Sequence, residues 1–253
     1  MLEKIKENTF NHFMYLPKLL GFTIEIHSDF TIINCRLGSS MFNIVCSNNI
    51  VNGNEEIESI VNTFKNQSFA WWFSPLIQSK IADEIFIENG FVVEAQEHAM
   101  LCKLDHFEVK NKQSLTIEQV LDRNQLEDFI KILELYDETA RGFYMRLSKP
   151  LLDKSEKLFV GYENKLPVVI AILFISGDTS GVFSLLTRED KRNLGYGTEV
   201  MIYLMNIAKA MGMKYIILSA SNDSGLRIYK RLGFNVFGKF KCFEWKVKNK
   251  ELL

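Results

Sequence analysis

The amino-acid sequence predicts an α/β (α+β) protein in which helices flank a mixed, mostly antiparallel sheet. Strand-like and helix-like segments alternate along the whole chain, which indicates a mixed class. Apolar segments at 157–162, 168–175 and 182–186 are separated by the short turns Asn164-Lys165 and Gly177-Asp178, a spacing typical of antiparallel strands. A strand followed by a helix then occurs twice between residues 182 and 234.

Periodicity predicts the elements of the first half in order. Residues 1–20 mix charges with spaced apolar side chains, so we expect a helix at least as far as Pro17. The segment 69–73 is aromatic and ends at Ser74-Pro75, as a strand would. The other expected elements are strands at 22–26, 30–35 and 41–46, helices at 55–65 and 77–89, and strands near 92–95 and 98–104.

In the second half, apolar residues recur at helical spacing from Ile117 to about Tyr136, and a second helix is expected over 138–148, before Pro150. After the three strands, Val200, Leu204 and Ala208 lie on one face of a helix. Residues 215–219 form the next expected strand, and residues 222–234 a helix that ends in Gly-Phe.

Composition narrows the class of protein. Hydrophobic residues make up 47% of the 253 positions and charged residues 24%, which is typical of a globular protein. The net charge is −1, with 30 basic and 31 acidic residues, so we expect no nucleic-acid surface. The longest apolar run, 166–175, is too short for a membrane span, and residues 1–11 are too charged for a secretory signal. We expect a cytoplasmic protein that contacts no membrane.

Cysteine and histidine usage argues against a metal site. The four cysteines are widely spaced and contain no Cys-x-x-Cys pair, which favours reduced thiols. All four histidines precede residue 107, so the second half alone provides neither a histidine metal cage nor a Ser-His-Asp triad.

The segment 183–198 carries the strongest functional signal. Its turn, Arg192-Asn193-Leu194-Gly195-Tyr196-Gly197, lies between a strand and a helix. Such a turn directs free backbone N–H groups and the positive end of the helix dipole at one point. Glycine lets a phosphate approach those groups closely. A P-loop would need Lys-Ser/Thr after the last glycine, and a dinucleotide-binding turn would need a third glycine at Val200.

The turn resembles the acetyl-CoA-binding motif Gln/Arg-x-x-Gly-x-Gly/Ala of the GNAT superfamily of N-acetyltransferases. A second signature of that superfamily, Asn-x-x-Ala-x-x-x-Tyr-x-Lys-x-Gly-Phe, follows in the expected place. This chain supplies its Asn222, Tyr229, Gly233 and Phe234, with Gly225 and Arg231 as substitutions. The resemblance covers about 115–247 and implies a GNAT acyl-CoA N-acyltransferase fold.

The first half resembles a degraded copy of the second. With an offset of 143 residues, from Gly90 to Gly233, strands and helices align. Asn49, Asn52 and Asn54 then stand opposite Arg192, Gly195 and Gly197, and Phe86 opposite Tyr229. Similarity between short strand–helix–strand units is the alternative explanation. We predict a degenerate GNAT-like domain at 1–110, in which Trp71 and Trp72 are packing residues, and an intact domain at 111–253.

The resemblance also assigns roles to residues. The strand positions Leu185, Leu186 and Thr187 would bind the pantetheine arm of acetyl-CoA. The pyrophosphate would lie on the turn, made of Arg192, Asn193, Leu194, Gly195, Tyr196, Gly197 and Thr198. Asn222 would contact the pantetheine or adenosine side, with a helix N-cap as the alternative. Tyr229 would be the general acid beside the sulfur, with a core tyrosine as the alternative.

The general base remains open in the sequence. Many members of the superfamily carry a glutamate on the strand before the turn, but residues 182–186 contain none. Asp137, Glu138, Glu244 and a water relay are the candidates.

We therefore predict acetyl transfer from acetyl-CoA to a primary amine. The alternatives are a non-catalytic CoA-binding or regulatory module, and transfer from aminoacyl-tRNA, which the near-neutral charge and the intact turn disfavour. The acceptor pocket would be built from residues 136–152, the last two strands and the first domain. No motif encodes the acceptor or the oligomeric state.

Overall fold

The computed structural model describes residues 1–49, 53–65, 67–77, 80–105, 107–109, 113–149, 152 and 154–247. The helices are α1 (Leu2–Leu19), α2 (Asn54–Thr63), α3 (Lys80–Glu88), α4 (Arg123–Leu133), α5 (Ala140–Tyr144), α6 (Tyr196–Ala210) and α7 (Asp223–Arg231). The strands are β1 (Thr23–Ile26), β2 (Phe30–Asn34), β3 (Asn43–Ser47), β4 (Phe69–Phe73), β5 (Val92–Lys103), β6 (Thr116–Gln119), β7 (Glu156–Glu163), β8 (Leu166–Ser176), β9 (Thr179–Thr187), β10 (Tyr215–Ala220) and β11 (Asn235–Trp245).

The chain forms two compact units, and each combines segments that are distant in sequence. The C-terminal unit contains residues 3–12 and 98–237. The N-terminal unit contains residues 13–97 and the chain from 238 onward. These compact units are a different division of the chain from the two predicted repeats, 1–110 and 111–253, because each unit takes segments from both halves of the sequence.

The C-terminal unit is built on a sheet in the order β5-β10-β9-β8-β7-β6. Only β9 and β10 pair in parallel, and the helix that joins them is α6. The other pairs are antiparallel, as the short turns predict. Apolar residues of α6, including Val200, Met201 and Leu204, pack with Leu173 and Ile216 in one buried cluster.

The start of this unit differs from the sequence prediction. Residues 116–119 form β6, which pairs with β7, where the apolar spacing predicts a helix. The helix α4 begins only at Arg123, because the Asp122 side chain accepts a hydrogen bond from the Gln125 N–H and caps it. The predicted second helix is shorter, since α5 ends at Tyr144, and part of the range 138–148 is not helical.

The N-terminal unit repeats the same arrangement of strands. Its order is β1-β2-β3-β4-β11, with β3 and β4 parallel and α2 between them. This series corresponds to β7-β8-β9-β10-β5 of the C-terminal unit. The internal repeat predicted from the offset of 143 residues is therefore visible in the sheets.

The final strand of each series comes from the other half of the sequence. Residues 98–103 of β5 pair with β10 in the C-terminal unit. Residues 241–245 of β11 pair with β4 in the N-terminal unit. The two halves of the chain thus exchange their last strands. The predicted separate strands near 92–95 and 98–104 are one continuous strand, β5.

Candidate functional site

A gap between β9 and β10 is the central feature of the C-terminal unit. In the fully described stretch 154–247, the parallel ladder joins Thr179, Ser180 and Gly181 of β9 to residues 215–217 of β10 and then ends. On its other side, β9 stays paired with β8 as far as Thr187. All five residues from Phe183 to Thr187 are half-buried, whereas the paired residues before them are buried. The second half of β9 therefore has one edge that β10 does not cover.

A bulge in β9 marks the start of this gap. Ile172 of β8 faces Phe183, and Ile170 faces Leu186, so β9 carries one residue more than β8 over this interval. Ser184 lies in the bulge with a φ of 45°, which costs a non-glycine residue about 1–2 kcal/mol. Strain of this kind collects at binding and catalytic sites.

The turn after β9 exposes the start of α6. Gly195 precedes the helix with a φ of 87°, and Asn193 has a φ of 64°. The first bond of the helix runs from the Glu199 N–H to the Gly195 carbonyl, at 3.0 Å. The three preceding N–H groups therefore have no partner within the helix. The N-cap residue, Gly195, has no side chain that could cap these groups. This arrangement is suited to bind an anion.

Of the two turn glycines, Gly195 has a conformation that requires glycine, whereas a Cβ at Gly197 would make only ordinary van der Waals contact. Gly195 has the left-handed conformation that disfavours side chains, and no atom lies within 4 Å of the position a Cβ would take. At Gly197 a Cβ would lie 3.5 Å from the Thr187 hydroxyl, so the helix start and the end of β9 approach closely. The turn is open at Gly195 and packed at Gly197.

Arg192 is held beside the turn by Tyr136, which the sequence places in the acceptor pocket and not at the turn. The Tyr136 hydroxyl donates to the Thr187 carbonyl at 2.8 Å and accepts from the Arg192 guanidinium at 3.0 Å. Arg192 also pairs with the exposed Glu189 at 3.3 Å. The hydrogen bond to Tyr136 raises the pKa of Arg192, so its positive charge is constant at neutral pH. The Thr187 carbonyl therefore already has a donor within the protein.

Tyr196 contributes only its backbone to the turn. Its side chain is buried, and its hydroxyl donates to Glu163, which also accepts from Lys191. Lys191 and Tyr196 together lower the pKa of Glu163. Leu194, by contrast, is 57% exposed. The buried Glu199, in the first turn of α6, accepts from the backbone N–H groups of Ser114 and Leu115 instead of facing the turn.

The second sequence signature lies on α7. Asn222 is the N-cap of this helix, since its side-chain oxygen accepts from the Gly225 N–H at 2.9 Å. Tyr229 is half-buried, and its ring lies 6.0 Å from the ring of Phe234. A Cβ on Gly225 would lie 3.2 Å from the Tyr229 ring, so the tyrosine covers this glycine.

Two of the three carboxylates proposed as bases, Asp137 and Glu244, have other partners. Asp137 accepts from the N–H and hydroxyl of Thr139 at 2.8 and 2.6 Å. Glu138 is exposed. Glu244 belongs to the N-terminal unit, where it accepts from Ser40 at 2.6 Å and pairs with Lys246 at 2.9 Å.

Instead, a histidine from the other half of the sequence lies next to β9. His12, on α1, stacks on the ring of Phe183 with a centroid distance of 3.8 Å. Its Nδ1 is 3.0 Å from a carboxylate oxygen of Glu156, on β7. The lack of histidines in residues 107–253 does not bear on this pair, because His12 comes from the start of the chain.

The corresponding region of the N-terminal unit is closed. The ladder between β3 and β4 continues to Ser47 and Phe73, and the Trp71 indole donates to the Ser47 hydroxyl at 2.7 Å. Phe86, opposite Tyr229 in the repeat, is buried against the ring of Trp71 at 4.7 Å. Trp71 is therefore a core residue as predicted. Asn49 and Asn54 bond to Asp29 and Asn89, while Asn52 lies outside the described residues.

Residues 121–234 match the family described as the acetyltransferase (GNAT) family. This range contains the gap, the glycine turn and Tyr229. Residues 121–234 are therefore assigned to a GNAT acetyltransferase domain. No curated protein sequence matches the chain.

Solved structures extend the likeness in fold to nearly the whole chain. A functionally unknown conserved protein from Staphylococcus epidermidis is 17% identical with a TM-score of 0.71, covering 90% of this chain and 96% of that one. A GCN5-related N-acetyltransferase from Kribbella flavida is 13% identical with a TM-score of 0.71, covering 96% and 95%. A tandem GNAT protein from the clavulanic acid biosynthesis pathway is 6% identical with a TM-score of 0.53, covering 82% and 76%. The predicted tandem GNAT fold is confirmed.

The described residues also bear on metal, membrane and thiol chemistry. Among them, no three His, Cys, Asp or Glu side chains are grouped as metal ligands. No described helix has the length and apolar character that crossing a bilayer requires. The four cysteines are free and buried, and burial raises the pKa of the Cys102 thiol to about 11, which disfavours a thiolate nucleophile there.

Proposed function

We propose that this protein transfers an acetyl group from acetyl-CoA to a primary amine. The observation that carries the proposal is the uncovered edge of β9, which leads directly to the exposed N-terminus of α6. A strand edge offers N–H and C=O groups to an extended amide chain, and the helix start offers N–H groups to a pyrophosphate. The GNAT acetyltransferase domain supplies the chemical class.

The residues of this site fit acetyl-CoA as a co-substrate. Leu185 and Leu186 would contact the pantetheine arm along the free edge of β9, and Thr187 would do so on the side away from Tyr136. The backbone from Asn193 to Thr198 would bind the pyrophosphate. Arg192 is within reach, because its pair with the exposed Glu189 is a surface ion pair, and such pairs contribute little. Asn222 would contribute its side-chain NH2, since its oxygen caps α7.

Transfer requires a proton to be taken from the acceptor and another to be given to the departing thiolate. We assign the second task to Tyr229, because a phenol with a pKa near 10 and a thiol with a pKa near 8.5 can share a proton. Tyr229 lies on α7, the helix that follows β10 across the gap from β9. The acceptor is a primary amine of a small molecule or a protein.

Ligand-dependent stabilisation tests the site. Binding to the folded state at about 100 times Kd raises the free energy of unfolding by about 2.7 kcal/mol, which corresponds to several degrees in Tm. We expect millimolar acetyl-CoA to raise the Tm of the wild type. Gly195→Glu should abolish this shift, because a carboxylate beside the helix start repels the pyrophosphate.

Gly212→Glu is the matched control. Gly212 follows the other end of α6 with a φ of 78°, and it too has no atom within 4 Å of a Cβ. Both variants introduce the same side chain into the same backbone strain, so only the position relative to the phosphate differs. An equal shift in both variants, or no shift in the wild type, would contradict the proposed site.

A non-catalytic CoA-binding module is the second candidate, because no acidic side chain lies between Val182 and Leu186 on β9. A panel of primary amines separates the two functions. An acetyltransferase releases free CoA thiol with at least one amine, and a thiol reagent detects it. A binding module stabilised by acetyl-CoA would release none.

A further inference from the structure

We propose that His12 is the general base for the acceptor amine and that Glu156 positions it. This inference rests on the proposed acetyl transfer. It identifies a base for a site in which β9 has no glutamate between Val182 and Leu186. It starts from a side chain of α1, outside the range 121–234 that matches the family.

His12 lies close to the expected position of the acyl group. With the pyrophosphate at the turn, the pantetheine arm runs back along β9 from Thr187 toward Leu185. The acyl group then lies near the bulge at Ser184. Phe183 is the next residue, and the His12 ring is stacked on it at 3.8 Å with an interplanar angle of 16°. The imidazole is therefore next to the expected position of the thioester.

His12 is hydrogen-bonded to Glu156. This carboxylate is 3% exposed, and its other oxygen, Oε1, is buried with no hydrogen-bond partner among the described residues. A buried carboxylate at 3.0 Å from Nδ1 favours the imidazole form that carries its proton on Nδ1. The lone pair of the neutral ring is then on Nε2. The carboxylate also holds the ring in a fixed orientation, as the aspartate of a catalytic triad does.

Two other side chains of α1, Lys4 and Asn8, hold this helix in place. Lys4, Asn8 and His12 lie four residues apart, on one face of the helix. Lys4 pairs with Asp178 at 2.7 Å, and the Asn8 side chain donates to the Thr179 carbonyl at 3.0 Å. These two contacts dock the helix on the hairpin between β8 and β9. His12 is thus placed by two preceding turns of helix, as precise catalysis requires.

The reaction balances with these groups. His12 takes one proton from the acceptor ammonium, and the neutral amine forms the C–N bond with the thioester carbonyl. The C–S bond breaks, its electron pair leaves with sulfur, and Tyr229 gives the thiolate a proton. The phenolate regains its proton from the newly bonded nitrogen, which still carries the second amine proton after the attack, and the imidazolium of His12 releases its proton to water. One ammonium and acetyl-CoA give one amide, CoA thiol and one proton.

The kinetic test is His12→Gln, which keeps a polar side chain and removes the base. The probe is the amine that releases thiol fastest in the panel, or water in the same assay if no amine reacts. We expect kcat to fall about 100- to 10,000-fold, with acetyl-CoA binding measured by calorimetry unchanged. His27→Gln is the control, because His27 also lies near a glutamate, Glu25, but in the N-terminal unit. A folded His12→Gln protein with wild-type kcat would overturn the proposal.

Nitrogen NMR of the histidine rings provides a readout without an acceptor. We expect His12 to carry its proton on Nδ1, and its signals to shift when acetyl-CoA is added, while those of His27 stay unchanged. Glu156→Gln should alter the His12 signals and lower kcat while leaving acetyl-CoA binding intact. Bound acetyl-CoA with unshifted His12 signals would contradict the role of His12 alone. Absence of acetyl-CoA binding to the wild type would overturn the proposed function as well.

Discussion

At the scale of single residues, side chains in the matched signatures do not all do what their positions suggest. The side chain of Tyr196 bonds to Glu163, away from the phosphate turn, and that of Asn222 caps a helix. Tyr136, which lies outside both signatures, holds the end of β9 and Arg192 together. In such a turn the backbone carries most of the binding, because N–H groups are present whatever the side chain is.

Tyr229 is the residue for which a purely chemical role is predicted. Tyr229→Phe removes only the hydroxyl, so the contact of the ring with Phe234 and Gly225 is kept. We expect unchanged acetyl-CoA binding and a kcat lower by about 100- to 10,000-fold, as for the loss of a general acid. Tyr203→Phe, on α6 with its ring 6.1 Å from Phe159, is the control. Wild-type turnover in Tyr229→Phe would reject the acid role.

At the scale of elements, the site depends on where a ladder of hydrogen bonds stops. The glycine turn and its helix are predictable, because they follow from neighbouring residues. The end of the β9 ladder at Gly181 and the bulge at Ser184 are not, since they depend on pairing with β8 and β10. The helix predicted at residues 116–119 is wrong for the same reason, namely that strand pairing cannot be read from neighbouring residues. Ile117 continues the apolar spacing of α4, and only pairing with β7 makes the segment a strand.

The docking of α1 should depend on pH through Asp178. The hydrogen bond from Lys4 lowers the pKa of this carboxyl in the folded protein. Such a group stabilises the fold above its unfolded pKa, near 4, and this stabilisation is lost as the pH falls through the lower folded-state pKa. We expect the wild type to be more stable than Asp178→Asn near pH 7, and the difference to shrink below about pH 4. Urea denaturation across this range measures it, and a difference independent of pH would contradict the assignment.

At the scale of the whole molecule, the exchange of last strands ties the two halves of the sequence together. Residues 238–245 complete the N-terminal unit, and Phe243 lies in its buried core. Residues 98–107 complete the C-terminal unit, and Met100 and Leu104 lie in its core. We retain the proposal that 1–110 and 111–253 are the two repeats, each of which folds with a strand from the other.

Fragments test this interdependence. We expect neither 1–110 nor 111–253 to fold alone, because loss of one buried phenylalanine costs about 3–5 kcal/mol and a whole domain is stable by only about 5–15 kcal/mol. Mixing the two fragments should restore a dispersed NMR spectrum and the Tm shift with acetyl-CoA. A cooperative unfolding transition for 1–110 alone would show that its sheet does not need β11.

Separation in sequence also explains why the role of His12 could not be predicted. It is 144 residues from Glu156, and no local pattern connects a helix at the start of the chain with a strand of the second half. The Asn-x-x-x-His spacing of residues 8–12 indicates only one face of a helix. The repeat could be found from local patterns, whereas the exchange could not.

Gly181 on β9 determines how closely α1 can approach this strand. A Cβ there would lie 2.2 Å from the Asn8 amide oxygen and 2.5 Å from the Phe183 ring, so any side chain at this position would displace both groups. The absence of a side chain at Gly181 is therefore what lets Asn8 lie against β9, one helical turn before His12.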